Sequence, residues 1–298
     1  MLKIALPNKG RLFDDVRAVL SDAGLEVRSA SERALVATLG DEFGALFVRA
    51  QDIPAFVADG AADAGITGWD CVAESGRELD DLLDLGFGKC RVVVAARATP
   101  ELLRTSALPS GTRVATSFPR LTRRFFSGLG RDVHVVEVSG AAEVAPHLGI
   151  ADVIVDLVST GSTLKVNGLV ELDTIVKSSA RLVSRPRASL APEVAEELDE
   201  LALALASVVR ARGQRYLMAN VPRAELARVR DVLPGLNGPT VVDVADDARL
   251  GGAQAPGTSA FVAVHAVVPQ ASVYRTIAKL KGLGCQGILV TRIERLQP

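Results

Sequence analysis

The sequence predicts an α/β protein followed by a smaller C-terminal unit with the order βαββαβ. Short apolar runs rich in valine recur along the first two-thirds of the chain, separated by segments with helical spacing. This alternation is typical of sheets whose strands are buried on both faces. The pattern changes character after Gly213. A chain of 298 residues has room for two domains of roughly 150 residues each, so two structural parts are expected.

The first part alternates strands and helices from its first residues. The predicted strands are 2–6, 34–39, 45–49, 61–66, 91–96, 113–116, 133–138 and 152–158. Apolar residues recur at helical spacing from Leu12 to Leu20, and Gly24 supplies a stop signal. Asp52 and Pro54 are typical of the first turn of a second helix. The predicted class for this region is therefore α/β with a mainly parallel sheet.

A long helix rich in Ala, Leu and Glu is predicted for residues 189–212, and the C-terminal unit follows it. Its predicted elements are a strand at 216–221, a helix at 223–233, strands at 240–244 and 260–268, a helix at 271–283 and a strand at 287–293. This order is that of the ferredoxin-like split unit. Between its middle strands, residues 246–259 are rich in glycine and predict a long hairpin loop.

Composition excludes several classes of protein. The 34 basic and 35 acidic residues leave a net charge of −1, so no global field favours nucleic acid or an anionic membrane as a partner. No apolar run approaches the roughly 20 residues of a membrane-spanning helix, and Pro7 interrupts the N-terminal run, which predicts a cytoplasmic protein. The three cysteines lack metal-site or CxxC spacing and are interpreted as inert thiols, and the three histidines are scattered.

The strongest local signal is the segment 151–164, in which an apolar strand ends in Asp156 and delivers a loop of hydroxyl residues around Gly161. Such a loop can turn successive N–H groups and hydroxyls toward a phosphate. Asp156 is placed where a carboxylate could reach ribose hydroxyls or a magnesium ion. An ordinary strand-to-helix loop with a capping Ser or Thr would have the same composition, so the loop alone leaves both readings open.

Other predicted strand ends also carry anion donors. Lys9, Gly10 and Arg11 follow the first strand, and Arg49 ends another. Hydroxyl groups and arginines follow the strand that ends at Thr116. Each loop taken alone could be a solvated run of charges. Together they predict a ligand cleft at the carboxyl ends of the strands, the usual position in open α/β sheets.

These segments together resemble the ATP phosphoribosyltransferase family. The resemblance rests on Pro7-Asn8-Lys9-Gly10-Arg11-Leu12, Arg49 with Asp52-Ile53-Pro54, Asp63-Ala64-Gly65-Ile66-Thr67-Gly68, Thr116-Ser117-Phe118-Pro119, and the spaced pattern from Glu143 to Leu164. It implies a two-lobed catalytic region resembling type II periplasmic binding proteins. Residues 1–90 with 170–212 would form lobe one, 91–169 lobe two, and 213–298 the regulatory domain of the long form. The resemblance also implies homodimers and hexamers without a separate regulatory subunit.

The implied activity is transfer of the 5-phosphoribosyl group from phosphoribosyl pyrophosphate to N1 of ATP, the first step of histidine biosynthesis, with Mg²⁺ on the pyrophosphate. Asp156 would hold the ribose hydroxyls and stabilise the cationic sugar. The residues implied to hold the 5′-phosphate are Ser159, Thr160, Gly161, Ser162 and Thr163. The cationic candidates for the pyrophosphate and ATP phosphates are Lys9, Arg11 and Arg49, and further substrate contacts fall on Gly68 and Asp152.

The resemblance also implies feedback inhibition by L-histidine through a pocket near Asn220, Thr240 and Gly287. Some relatives carry an acid at the position of Asn220, where this chain has an amide. Two alternatives remain at the level of sequence. One is a phosphoribosyltransferase for a free base, and the other is a non-catalytic small-molecule-binding protein of the same fold.

Overall fold

The structure is a computed structural model that describes residues 1–28, 34–98, 104–244 and 260–297. The chain divides into two compact units, Met1–Leu205 and Ala206–Pro298. The predicted 246–259 loop lies outside the described residues. No helix in the described part of the chain is long and apolar enough to cross a membrane.

The first unit contains most of the helices and strands. In chain order they are β1 (Lys3–Pro7), α1 (Phe13–Asp22), β2 (Val27–Arg28), β3 (Val36–Leu39), β4 (Phe43–Val48), α2 (Ile53–Ala58), β5 (Ala64–Gly68), α3 (Trp69–Ser75), β6 (Asp80–Asp84), β7 (Cys90–Arg97), β8 (Thr112–Thr116), α4 (Pro119–Gly128), β9 (Val133–Glu137), β10 (Val153–Val158), α5 (Ser162–Val166), β11 (Leu169–Ser178), β12 (Ala180–Ser184) and α6 (Pro192–Ala211), which continues into the second unit.

A seven-stranded sheet forms the first lobe, with the strand order β2-β3-β4-β1-β5-β12-β6. β1 lies between β4 and β5 and is parallel to both. The apolar positions of β1, Ile4 and Leu6 among them, are fully buried, as the alternation with helices predicts. Because parallel strands end at the same edge, the loops after β1, β4 and β5 lie side by side.

A five-stranded sheet forms the second lobe, with the order β11-β7-β10-β8-β9. Here β10 and β9 run parallel to β8, while β7 and β11 are antiparallel to their neighbours. The α/β class is confirmed, but both sheets are mixed rather than mainly parallel. The antiparallel strands β7, β11 and β12 lie next to the two points at which the chain passes from one lobe to the other. Local sequence patterns do not reveal these points, because they depend on long-range pairing.

Two boundaries differ from those expected. β11 pairs with β7, so residues 170–178 belong to the second lobe, and the chain returns to the first sheet at Ala180. The second compact unit begins inside α6, at Ala206, rather than after it at residue 213. The C-terminal end of this helix bonds to the chain terminus, since Leu296 N–H donates to the Ser207 carbonyl at 2.9 Å.

The second unit confirms the predicted order βαββαβ. Its elements are β13 (Gln214–Pro222), α7 (Leu226–Val232), β14 (Thr240–Asp243), β15 (Phe261–Pro269), α8 (Val273–Gly282) and β16 (Gln286–Arg292). The sheet is antiparallel with the order β14-β15-β13-β16. Alternate residues of β13 and β15, such as Leu217 and Val264, are buried in a core that also includes α7 and α8. Their neighbours lie on the other face of the sheet.

Candidate active site

A cleft of about 680 Å³ opens where the parallel strands of the first lobe end. The loop after β1 contributes Lys9 and Arg11, and the loop after β4 contributes Arg49. Three cationic side chains from two separate loops therefore line one cavity. The structure thus brings together the three residues that the sequence proposed as phosphate ligands.

The opposite wall of this cleft comes from the second lobe. Ser117 and Phe118 follow β8, while Val138 and Ser139 follow β9. Because β8 and β9 are parallel, their carboxyl ends share one edge, and that edge faces the cationic loops. The cavity therefore combines cations on one side with hydroxyl and apolar groups on the other. This combination suits a ligand with both phosphates and a ring.

The three cations differ in how they are held. Within the described residues, the side chains of Lys9 and Arg49 form no ion pair. Arg11 is anchored, since its Nη1 donates to the Gly88 carbonyl at 2.5 Å and its Nη2 lies 3.1 Å from Asp70 Oδ1. Lys9 and Arg49 thus offer charge that the described residues do not neutralise, whereas Arg11 is held in place by contacts within the protein.

Asp70 is the buried carboxylate behind Arg11, with a residue exposure of 3%. Its Oδ1 also accepts a 2.5 Å hydrogen bond from Ser178 Oγ, and its own N–H donates to that hydroxyl at 2.9 Å. A side chain at Gly68 would place its Cβ 2.3 Å from Asp70 Oδ1. Gly68, predicted to contact substrate, is buried and makes room for the pair between Arg11 and Asp70.

The cysteines beside Asp70 have the properties of inert thiols. Burial raises the pKa of Cys71 to about 12, and the Asp70 carboxylate acts in the same direction. Burial also raises the pKa of Cys90 and that of Cys285. A raised pKa keeps a thiol protonated and weakly nucleophilic.

The predicted phosphate loop follows β10 at the edge that also carries Ser117. Gly161 has φ +80°, a left-handed conformation that favours glycine. Thr160 Oγ1 lies 3.0 Å from Ser162 Oγ, and both residues are exposed. Among the described residues, the N–H groups of Thr160, Gly161 and Thr163 have no hydrogen-bond partner. The loop therefore has free donors, although it does not form part of the walls of the 680 Å³ cleft.

Asp152 immediately precedes β10, and Asp156 lies in the carboxyl-terminal half of that strand. Asp156, near the loop, is half-buried and accepts a 2.7 Å hydrogen bond from the Leu157 N–H. Burial raises the pKa of Asp156, and the nearby carboxylate of Glu143 raises it further. Asp152 precedes the strand and lies 2.7 Å from Arg113, whose hydrogen bonds lower the pKa of Asp152. The structure does not bring Asp152 to the cleft.

The acidic side chains determine whether the site could hold Mg²⁺. The described residues contain no cluster of three or more His, Cys, Asp or Glu side chains suited to a metal ion. The two neighbouring carboxylates, Asp156 and Glu143, fit the usual mode for Mg²⁺, which takes one or two carboxylates together with substrate phosphates. The donor set is therefore compatible with a metal that arrives with the substrate.

In the second unit, the predicted regulatory residues fall on one sheet but not in one cavity. Thr240 lines a cavity of about 430 Å³ together with Tyr216 and His265. Tyr216 Oη and His265 Nδ1 are 2.5 Å apart. Asn220 lies outside this cavity and against Gly287, where an added Cβ would be 3.1 Å from Asn220 Nδ2.

Sequence reasoning missed three polar groups near the site. Asp70 anchors Arg11, as described. Glu74 Oε1 and Oε2 accept hydrogen bonds from the backbone N–H groups of Arg120 and Leu121 at 2.8 and 2.9 Å, and so join α3 of the first lobe to the start of α4 in the second. Arg91 lies beside the phosphate loop. These hydrogen-bond partners of all three residues are distant in sequence, so local patterns do not reveal them. The one sequence signal for Arg91 is its position as a charged residue directly before an apolar run.

Comparison with known proteins assigns the family. A model of the HisG family, described as ATP phosphoribosyltransferase, matches residues 49–207, and the model of its C-terminal domain matches residues 211–295. The chain belongs to the ATP phosphoribosyltransferase family. A relative of that name from Gemmatimonas aurantiaca is 63% identical over the full length of both chains. Another, from Methanocella arvoryzae, is 45% identical over 99% of each.

A solved structure supports the same assignment. The chain is similar to one in the ATP phosphoribosyl transferase (HisG:HisZ) complex from Thermotoga maritima, with a TM-score of 0.62 and 29% identity. The match covers 70% of this chain and 99% of that one. The family places the protein at the first step of histidine biosynthesis, as a transferase that uses ATP.

Proposed function

We propose that the protein transfers the 5-phosphoribosyl group of phosphoribosyl pyrophosphate to N1 of the ATP adenine. The observation that carries this proposal is the cleft in which Lys9, Arg11 and Arg49 of the first lobe face Ser117 and Phe118 of the second. The hydroxyl-rich loop after Asp156 leaves the second lobe's sheet at the same edge as Ser117, because β10 is parallel to β8. The lone pair of N1 forms the new bond to the anomeric carbon. The bond to pyrophosphate breaks, and its electron pair leaves with that group.

Positioning accounts for most of the catalysis in this proposal. N1 of adenine has a free lone pair, so its attack needs no general base, and two bound substrates held in line react as if at very high concentration. The free N–H groups and hydroxyls of residues 159–163 hold the 5′-phosphate. This contact fixes the sugar with its anomeric carbon toward the other substrate.

Asp156 supports the sugar. Positive charge develops on the ribose as the bond to pyrophosphate weakens, and a half-buried carboxylate stabilises that charge more strongly than an exposed one. Burial raises its pKa, and no ion pair holds this carboxylate among the described residues. An incoming cationic sugar supplies the missing charge.

Lys9, Arg11 and Arg49 bind the pyrophosphate and the phosphates of ATP. The free cations Lys9 and Arg49 gain a partner when the phosphates bind, while Arg11 provides a fixed reference point. Mg²⁺ bound to the pyrophosphate would neutralise the charge that this leaving group gains, with Asp156 and Glu143 as the available carboxylates. Asp152 is omitted from this site because it is paired with Arg113.

The second unit regulates the first in this proposal. L-Histidine would bind near Asn220, Thr240 and Gly287 and inhibit the reaction, and the protein would assemble as a homodimer and hexamer in the cytoplasm. The match of residues 211–295 to the C-terminal domain model supports a built-in regulatory unit, so no separate regulatory subunit is invoked. The amide of Asn220 cannot form an ion pair with the inhibitor's amino group, which favours weak inhibition.

Turnover followed by ultraviolet absorbance tests this function. We expect product only when ATP, phosphoribosyl pyrophosphate and Mg²⁺ are all present, and less product when L-histidine is added. Replacing ATP with free adenine, guanine or orotate is the specificity control. Product from a free base and none from ATP would overturn the assignment of the acceptor, while full activity in the presence of histidine would overturn the regulatory part alone.

A further inference from the structure

Arg91 lies at the base of the phosphate loop. In the ladder between β7 and β10, Asp156 is opposite Val93 and Val158 is opposite Arg91. Directly opposed residues of antiparallel strands project from the same face, and so do residues two apart on one strand. Arg91 and Asp156 therefore share one face of the sheet, with Arg91 on the side where the loop begins.

The guanidinium of Arg91 contacts the loop backbone directly. Its Nη1 donates to the carbonyl of Ser159 at 3.4 Å. A Cβ built on Gly161 would lie 3.9 Å from Arg91 Nη2, so the guanidinium borders the space beside this turn. These two residues are where the loop begins, at Ser159, and where the backbone adopts a positive φ, at Gly161.

A carboxylate from a third strand holds Arg91 in this place. Glu171 on β11 accepts from Arg91 Nε at 3.0 Å and from Nη2 at 2.6 Å. Thr174 Oγ1 donates to the same carboxylate at 2.9 Å. The Arg91 and Glu171 side chains are 32% and 28% exposed, so water competes only partly for these contacts.

We propose that Arg91 is a positioning residue for the phosphoribosyl substrate: held by Glu171, it fixes the backbone of the 159–161 turn so that the loop's free N–H groups point at the 5′-phosphate. The proposal rests on the phosphoribosyl transfer proposed above and deepens it. The 5′-phosphate does not change during the reaction, so the loop binds it equally in the ground and transition states. A loss of this contact therefore raises KM and leaves kcat nearly unchanged.

The chain offers a matched control in Arg113. This residue also pairs with a carboxylate, Asp152, and also donates to a backbone carbonyl, that of Gly149 at 2.7 Å. It lies on β8 near the opposite end of the same sheet. Arg91→Ala and Arg113→Ala thus remove equivalent sets of contacts, one beside the loop and one away from it.

Steady-state kinetics separate the two variants. For Arg91→Ala we expect KM for phosphoribosyl pyrophosphate to rise about tenfold, as for a lost charge-assisted hydrogen bond, with KM for ATP unchanged. Arg91→Lys is expected to recover part of this loss, and Glu171→Gln to show a smaller rise in the same direction. Arg113→Ala should leave both KM values unchanged. A partly misfolded variant would instead lower kcat with neither KM altered.

Equilibrium binding of ribose 5-phosphate, measured by calorimetry on the full chain, gives a readout without turnover. The dissociation constant should rise in Arg91→Ala and Glu171→Gln and not in Arg113→Ala. Equal KM and binding in Arg91→Ala and wild type, or equal effects in the Arg91 and Arg113 variants, would overturn the role of Arg91. Wild-type protein that binds ribose 5-phosphate through Arg91 yet makes no product would overturn the proposed reaction and leave this role standing.

Discussion

Two aspartates near β10, Asp152 and Asp156, have opposite electrostatic surroundings. Asp152 precedes the strand, and hydrogen bonds from Arg113 lower its pKa. Asp156 is the fourth of the strand's six residues, and burial and the carboxylate of Glu143 raise its pKa. Arg113 neutralises one charge, while the other is half-buried and pairs with no cation in the part of the chain that the structure describes.

This difference separates a structural residue, Asp152, from a candidate site residue, Asp156. A paired acid at the protein surface adds little to stability and has no unmet charge for a ligand to satisfy. A buried acid beside another acid is costly to ionise, so the folded protein gains when a cationic ligand arrives. The carboxyl end of β10, with its loop of free donors, is the end suited to a developing cationic sugar.

Replacing Asp156 should produce the largest effect. Asp156→Asn keeps the shape and removes the charge, so we expect kcat to fall on the order of 10²- to 10³-fold, the range for loss of one strong electrostatic contact in an active site. Single-turnover kinetics with saturating substrates would measure this fall. Near-normal turnover in the variant would remove Asp156 from the transition state.

The stability of Asp156→Asn is the control for this prediction. Because the pKa of Asp156 is raised in the folded state, ionisation lowers stability as the pH rises from the unfolded to the folded pKa. At neutral pH the asparagine variant avoids this cost, and we expect it to melt at a temperature equal to or above that of wild type. A variant that loses activity because it unfolds would melt at a lower temperature.

The free cations of the first lobe come next in expected effect. Lys9→Ala and Arg49→Ala should each weaken binding of ATP or phosphoribosyl pyrophosphate about tenfold, since each loses a charged contact with phosphate. Raising the salt concentration should weaken binding to wild type more than to either variant. Unchanged affinity for both substrates would exclude that residue from the site.

The setting of Asp156 also predicts a pH dependence. If the ionised carboxylate is the active form, kcat falls as the pH drops through the raised pKa of Asp156. Glu143→Gln removes a like charge, lowers that pKa and moves the acidic limb of the pH profile to lower pH. The pH dependence of kcat, measured for wild type and for Glu143→Gln, checks the direction of this shift. A shift to higher pH would contradict the proposed coupling between Asp156 and Glu143.

Local patterns predicted much of this fold, because strand and helix periods are visible in short windows. The order βαββαβ and the burial of β1 follow from such spacing. β6 was missed because its sequence, Asp80-Asp81-Leu82-Leu83-Asp84, has no apolar alternation. It lies at the edge of the sheet. Its acidic side chains bond to β12 and to Ser179, the residue before β12, and Arg181 lies 2.9 Å from Asp81. Such pairing is set by tertiary structure.

The candidate site was predicted to a similar degree, and for a related reason. Loops at strand ends are local, so Lys9, Arg11 and Arg49 could be grouped once the strands were expected to be parallel. Partners that are distant in sequence could not be grouped in this way. Arg91 and Glu171 are separated by 80 positions, and Asp70 and Ser178 by 108. Asp152, a predicted substrate contact, pairs with Arg113, and a contact across 39 positions is not visible in local sequence patterns.

The smallest predicted effect is at Asp152, which immediately precedes β10. Asp152→Asn removes a carboxylate that is 48% exposed and already paired with Arg113, so we expect kcat and both KM values to stay within about twofold of wild type. Because the pKa of Asp152 is lowered in the folded state, its contribution to stability is present at neutral pH and is lost as the pH falls through that pKa. Thermal melts should therefore separate wild type from this variant slightly at pH 7 and not at all in acid. A large rise in KM for either substrate would return Asp152 to the site and end the contrast between the two aspartates.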